Sequence, residues 1–555
     1  MKKILFVVLL LVAASFMFTA CRNNDTTTTP PTTTTAGPTV TTAPPTTAPP
    51  ATAAPEPQGL EPVELNIWYI FAGAVFDTDW RVWQQVAEHT GVHLVGVADP
   101  VNTVVNEAFN LQAVEGFPAH IYGGTLAPRF MDFGMEGAFI PLQDLIPTYA
   151  PHFYSLMQRF PMIREGITAP DGNIYHLPNL NDVFDTFAVS KVYWAPMHWL
   201  DTLDLPVPNT VEEMEATLFA FRDELPEILG VEYVVPWFWS WGWQDAMSAI
   251  FPMFGARRAG NETGTRIAPM EDRDEVYHIW LSDEFKFALE NFSRWFGEGL
   301  IDQELFTRTG DPRLALWTSN QGGFTHNFPM STGNLIPQMQ ELHGADWQMM
   351  PIYPVVGTDG RRVSEVQRAP MNNNGWAITP HNPHPERTLM MMDFLYHGHG
   401  RNLLNFGPYG ITWEYVDGVP AFLPYVHEHG VPVLEVIRAR NGAVGAFPYM
   451  ADLRYELAVG TAETTLAQEM WAPHRGFSPR MMPQLSFTVD ERFTLNDIRP
   501  NLNSYLNENV QLFISGDWQD IASQWDAFVA GAIALGADEY VAIHQAAFDR
   551  FMARQ

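Results

Sequence analysis

From residue 63 onward the chain reads as an alternation of short apolar runs and longer stretches with helical spacing. VELNIWYI (63–70) has the pattern of a buried strand, and Trp80, Trp83, Val86 and Ala87 then recur at the spacing of one helix face. Gly91 ends that helix, and VHLVGV follows as a second strand, so residues 63–97 predict a β-α-β unit, the opening of an open α/β sheet. Ligands of such sheets lie beyond the carboxyl ends of the strands, which places Trp68, Tyr69 and the loop FAGAVFDTD near a candidate cleft. Thr210 stands three residues before Glu213, a capping box that starts a helix by satisfying its first free amides. LSDEFKFALENFSRWFGEGL carries Phe285, Ala288, Leu289, Phe292, Trp295 and Phe296 on one stripe, a core helix closed by glycines. The chain ends in two amphipathic helices separated by LGAD. No internal repeat appears, and helical and strand signals alternate irregularly.

The first 60 residues follow none of this. Lys2 and Lys3 precede the apolar run ILFVVLLLVAASFMF, then Thr19, Ala20 and Cys21, which is the layout of a bacterial secretory leader over residues 1–20. The run is shorter than the roughly 20 residues of a membrane span, and FTAC resembles a lipobox, with Phe18 where Leu is commonest. Cys21 is the single cysteine of 555 residues, so a disulfide within the chain and a thiolate metal cluster are excluded, and lipidation is its expected role. Residues 25–58 are almost entirely Thr, Pro and Ala, too poor in apolar side chains to fold, so residues 21–58 form an anchored linker. At ~3.1 Å per residue, a polyproline-extended linker of this length reaches roughly 100 Å. Residues 59–555 are enough for more than one compact lobe.

Charge narrows the partners. There are 31 Lys and Arg against 63 Asp and Glu, a net of −32 that becomes −34 when Lys2 and Lys3 leave with the leader. Such a surface repels phosphate, and no basic patch offsets it, so nucleic acid is not an expected partner. Aromatics make up 13 % of the chain, including 18 Trp, as expected of a folded, aromatic-rich protein.

Several separated phrases resemble one family, the extracellular solute-binding lipoproteins of bacterial ABC importers (family 1), in the branch that binds oligosaccharides and alginate. They are EGAFIPLQDLIPTYAPHF with ITAPDGNIYHLPN, WLDTLDLPVPNTVEEMEATLFAFRD, FGEGLIDQELF, ERTLMMMDFLYHGHGRNLLNFGPYGITWEYVDGVP, and the terminal LFISGDWQDIASQWDAFVAGAIALGADEYVAIHQAAFDRF, all in family order. The resemblance covers residues 60–555. It implies a type II periplasmic-binding-protein-like α/β fold, two interleaved lobes over residues 59–555 with a hinge and an interlobe cleft. It also implies a monomer without cofactor, held by a lipid at the extracellular face of the cell membrane, that hands an oligosaccharide or related solute to a membrane permease. Two departures stand out. The calcium loop many members carry after the helix ending here in FAFRDE is replaced by LPEILGVEYVVP, so no metal is expected there. The family's acidic position reads His120 in FPAHI.

Aromatic rings beside polar groups are the usual means of gripping a sugar. VVPWFWSWGWQDAM places Trp237, Trp239, Trp241 and Trp243 two apart, on one face if the segment is extended; a tryptophan-rich core strand is the plain alternative. NNNGWAITP offers Asn373 and Trp376, and FGPYGITWEYVDG offers Tyr409 and Trp413 in a glycine-bounded loop. Trp68, Asp79 and Tyr122 complete the candidates. His397 with His399, and His427 with His429, are spaced to share a metal, but loop histidines beside glycine are more often solvated. HExxH, a phosphate-cradling glycine loop and GxSxG are all absent, so zinc protease, nucleotide and serine hydrolase chemistry find no support. A secreted glycoside-acting enzyme stays open, because carboxylates are too abundant for any pair to stand out. So does a peptide receptor on the same scaffold. The acidic net charge favours a neutral glycan over a polyanion.

Overall fold

The computed structural model describes residues 61–553 apart from 184–189, 241, 258–265, 309, 365–368, 428–432, 472–479, 481, 484 and 517. The leader, Cys21 and the linker therefore lie outside the described residues, as do Trp241 and His429.

The chain begins with β1 (Val63–Phe71), β2 (Ala74–Val75), β3 (Val92–Gly96), β4 (Ile121–Gly124) and β5 (His176–Asn181). β1 and β3 pair in parallel, joined by the helix Arg81–Thr90, as the β-α-β pattern requires. Gly91 closes that helix by donating its N–H to Ala87 O at 2.8 Å. Along β1, Leu65, Ile67 and Tyr69 enter one apolar core, whereas Trp68 and Ile70 enter another on the opposite face of the sheet. From Ile67 to Ile70 both faces are covered, which is why the second half of this strand is continuously apolar whereas Glu64 and Asn66 alternate with apolar residues in the first.

After β5 the chain builds a second sheet from β6 (Val192–Pro196) and β7 (Val235–Phe238), adds the hairpin β8 (Ile267–Pro269) and β9 (Val276–His278), and completes the sheet with β10 (Gly322–Asn327) and β11 (Met349–Ile352). It then returns to the first sheet as β12 (Met371–Ile378), forms the hairpin β13 (Trp413–Val416) and β14 (Val419–Phe422), and adds β15 (Met450–Ala451). The last crossing falls between the helices Arg454–Val459 and Ala462–Trp471, since Tyr455 belongs to the first lobe's core and Trp471 to the second's. The result is a two-lobed α/β fold, with sheets ordered β15-β5-β12-β4-β1, flanked by β2 and β3, and β11-β6-β10-β7.

The second lobe is finished by helices. Thr210 and Glu213 form the expected capping box at the start of Val211–Leu229, a helix that runs on through Pro226. Asp283–Gly297 buries Phe285, Ala288, Leu289, Phe292 and Trp295 against the long helix Val489–Ser515 and the terminal pair Ile521–Ala534 and Ala537–Met552. No single helix among the described residues is long and apolar enough to cross a membrane.

Strand directions locate the cleft. β1, β3, β4, β5 and β15 all run one way, and β12 runs against them. In the second lobe β7 and β10 are parallel, β6 is antiparallel to both β10 and β11, and the end of β10 pairs with the start of β6 (Asn327 with Val192). The chain leaves the first lobe from the ends of β5 and β15 and re-enters at the start of β12. It enters the second at the start of β6 and leaves after β11. The carboxyl ends of the parallel strands of both sheets therefore face the crossings, and the groove between the lobes lies there.

Candidate functional site

On the first lobe the groove edge is made where β4 ends and β12 begins. Gly123 has no room for a side chain, because a Cβ would stand 2.4 Å from the Trp376 indole nitrogen. Beyond it, Thr125 Oγ1 donates to Asn374 Oδ1 at 2.8 Å, Asn374 N–H to Asn372 Oδ1 at 2.9 Å, and Asn372 Nδ2 to Asn179 Oδ1 at 2.6 Å. The NNN run is a bulge: pairing of β12 with β5 shifts register between Met371 and Gly375. Asn373 is exposed at its crest. The edge is thus a strip of neutral amide and hydroxyl groups, each able to donate and accept.

The second lobe faces it with the ends of β7 and β10. Asn327 Nδ2 donates to Ser240 Oγ at 2.6 Å, and Ser240 Oγ to Asp311 Oδ1 at 2.9 Å. Arg313, almost fully buried, holds Asp311 through Nε at 2.9 and 3.0 Å and reaches Thr332 Oγ1 at 2.7 Å. Burial alone would raise the Asp311 pKa, but the Arg313 hydrogen bonds and charge, with Ser240, bring it below the usual carboxylate value. Beside this network Lys191 and Asp245 form a buried ion pair. Asp245 sits in the first turn of the helix Trp243–Ile250, where the backbone amides favour an anion, yet its burial pushes the carboxyl upward against the pull of Lys191.

The expected stacking face is only partly assembled. β7 ends at Phe238 and the helix begins at Trp243, so Trp237, Trp239 and Trp243 do not share one extended strand. Trp239 is 2 % exposed and stacks on Trp237 at 5.4 Å. Trp243 is half-buried at the mouth of the helix, 5.7 Å from Trp280. Trp68 and Tyr122 stack on one another at 5.6 Å inside the first lobe, and Tyr122 OH donates to Gln112 Oε1. Trp376 is fully buried, stacked on Trp83 at 5.1 Å with its N–H on Ala446 O at 3.0 Å. Trp413 is equally buried, its N–H on Gly407 O. These four indole and phenol rings are core in this conformation. Tyr409 is 41 % exposed but is held on the lobe's flank, its backbone N–H and C=O both bonded to Gln85. Asp79 is exposed in the loop after β2, its N–H on Asp77 Oδ1. His120 precedes β4, at the amino end and away from the groove, and accepts the Asn66 N–H at 3.1 Å. Sequence reasoning missed Thr125, Asn179, Asn372, Asn374, Ser240 and Asn327; the asparagine run was the available signal.

The lobes also touch directly. Arg492, in the first turn of Val489–Ser515, pairs with Asp132 on the helix Ala127–Met135 and lies 3.8 Å from Met135 Sδ. Ser486 Oγ donates to Thr168 O at 2.7 Å.

No family model matches the chain. Its sequence is 23 % identical over 504 residues to the fructooligosaccharide ABC transporter substrate-binding protein FusA of Streptococcus pneumoniae serotype 4, covering 85 % of this chain and 87 % of that one. Its structure is similar to that of the alginate-binding protein AlgQ2 solved without calcium ion, with a TM-score of 0.77, 28 % identity, and coverage of 88 % of this chain and 98 % of that one. FusA in complex with kestose gives a TM-score of 0.72 at 20 % identity, covering 89 % of this chain and all of that one. With its two lobes and its groove at the carboxyl ends of the strands, the chain is similar over most of its length to substrate-binding proteins of ABC transporters.

Proposed function

We propose that this protein captures a neutral oligosaccharide in the groove between its lobes and delivers it to a membrane permease, without altering it. Support comes first from the neutral strip Thr125–Asn374–Asn372, backed by buried Asn179, whose donors and acceptors match sugar hydroxyls. Lys191 and Arg313 on the opposite edge are engaged by Asp245 and Asp311, which leaves them poorly placed to bind a uronate. The names of the relatives agree on carbohydrate: one is a fructooligosaccharide binder, another an alginate binder. Trp239 and Trp243 stand beside the network, and half-buried Trp243 is the ring of the pair with an indole surface still accessible to a sugar. Exposed Asn373 and Asp79 extend the polar rim. Ligand contacts from both lobes favour the closed state by differential affinity. In this reading Cys21 carries the lipid, residues 21–58 form the tether, and the monomeric receptor works at the outer face of the cell membrane.

The test is a tryptophan-fluorescence and calorimetric titration with neutral fructo- and gluco-oligosaccharides, uronate oligomers and peptides, alongside a reducing-end assay. Binding of a neutral glycan with no new reducing ends is expected. Release of reducing ends makes the protein an enzyme, and binding of peptides alone removes the sugar assignment. Fatty-acid labelling of the chain in its host, lost in Cys21→Ser, is the expected result for the anchor.

A further inference from the structure

His397 and His399, spaced to share an ion, instead point to different neighbours. His399 lies against His89, with ring centroids 4.9 Å apart, and against Tyr409 and Trp413. His397 turns to His152 and Asp393, and its ring stacks on that of His152 with centroids 3.4 Å apart. We propose that His152, Asp393 and His397 form a binding site for one divalent transition-metal ion, zinc by the chemistry of its donors.

Three segments distant in sequence supply the donors: the start of the helix Pro151–Arg159, the end of Pro385–Phe394, and the residue that begins Gly398–Phe406. Their ligand atoms all lie within 4.8 Å of one another, and His152 Nδ1 stands 2.7 Å from Asp393 Oδ2. Donors around a tetrahedral zinc at about 2.1 Å are roughly 3.4 Å apart, so small side-chain rotations suffice. The carboxylate is oriented by other groups: Asp393 Oδ1 accepts the Phe153 N–H at 2.8 Å and Oδ2 the His152 N–H at 3.3 Å. Backbone donors of this kind fix a ligand's direction as second-shell groups do in known sites. Asp393 is nearly buried, and its close partners are imidazoles and amides; a divalent cation supplies the missing countercharge. Two nitrogens and one carboxylate select zinc, cobalt or nickel over calcium or magnesium. His152 is half exposed, so a fourth position stays open to water.

The experiment uses the untagged mature chain, titrated with zinc by calorimetry and loaded with cobalt for visible spectroscopy. One equivalent of zinc is expected to bind, with affinity falling at least about tenfold in both His152→Ala and His397→Ala and unchanged in His399→Ala. Cobalt should give the intense visible bands of a four-coordinate ion. Because His152 is half exposed, its replacement leaves folding intact and the comparison readable. The site is overturned if the wild type takes up no stoichiometric zinc, if both variants keep wild-type affinity, or if cobalt shows only the pale spectrum of a hydrated surface ion.

Discussion

Trp376 and Asn374 lie two apart along β12, yet they do different work. The indole of Trp376 is fully buried between Trp83 and the backbone of Gly123. Trp376→Ala should therefore cost about 3–5 kcal/mol of folding stability, read as a shift in urea midpoint with the ligand absent. Asn374→Ala, a half-buried member next to the strip's exposed Thr125, should leave that midpoint within about 0.5 kcal/mol. It should weaken glycan binding by about tenfold, the worth of one to two hydrogen bonds in a desolvated groove. Equal binding by wild type and Asn374→Ala in the glycan titration would remove the amide strip from the site. The sequence could not separate these two residues, because a two-residue period reports which face a side chain takes and not how far along the strand the sheet's edge falls.

At the scale of elements, what repeats over several turns was legible and what depends on one backbone angle was not. The β-α-β unit, the Thr210 capping box and the stripe of Asp283–Gly297 all formed as read, since each is fixed by many side chains agreeing on one period. Trp237, Trp239 and Trp243 do not share a strand because β7 stops at Phe238. Gly242, whose φ of 83° and ψ of −168° place it in a region open essentially to glycine alone, then sets the start of the helix that carries Trp243 and Asp245. A side chain there meets only open space, the nearest atom being Leu305 O at 4.0 Å, so Gly242→Ala tests the backbone alone. Its expected cost is about 1–3 kcal/mol in chemical denaturation. A loss below that range would mean the turn does not depend on glycine.

For the whole molecule, the sheet order β15-β5-β12-β4-β1 joins segments more than 300 residues apart, which no local pattern encodes; the two-lobed expectation came from resemblance instead. Two global properties follow from the assembled structure. His176, His278 and His544 are buried and held neutral, with pKa values lowered mainly by burial to about 3, 3 and 4. The unfolded chain binds their protons near pH 6.5 and the folded chain does not, so stability must fall as pH drops from 6.5 towards 4. The slope is about 1.4 kcal/mol per pH unit for each histidine, partly offset by carboxyls such as Asp132 whose values are raised. Urea midpoints that stay flat between pH 6.5 and 4.5 would contradict this. The second property concerns the contacts of Arg492 and Ser486 with Asp132 and Thr168. Thr168 precedes β5, and Asp132 is well along the helix that runs back from the end of β4, so both lie away from the groove. A closure that rotates the lobes toward the groove is expected to open a contact on the opposite side. The ion pair then opposes closure, and Arg492→Ala should tighten glycan binding by about fivefold, the equivalent of ~1 kcal/mol for a partly exposed pair. Burial pushes Asp132 up to about 6 despite the Arg492 guanidinium, so the pair is complete only above that pH. The difference in affinity between wild type and Arg492→Ala, measured by calorimetry, should be full at pH 7.5 and shrink at pH 5. Equal affinities at pH 7.5, or weaker binding by the variant, would show that this contact does not resist closure.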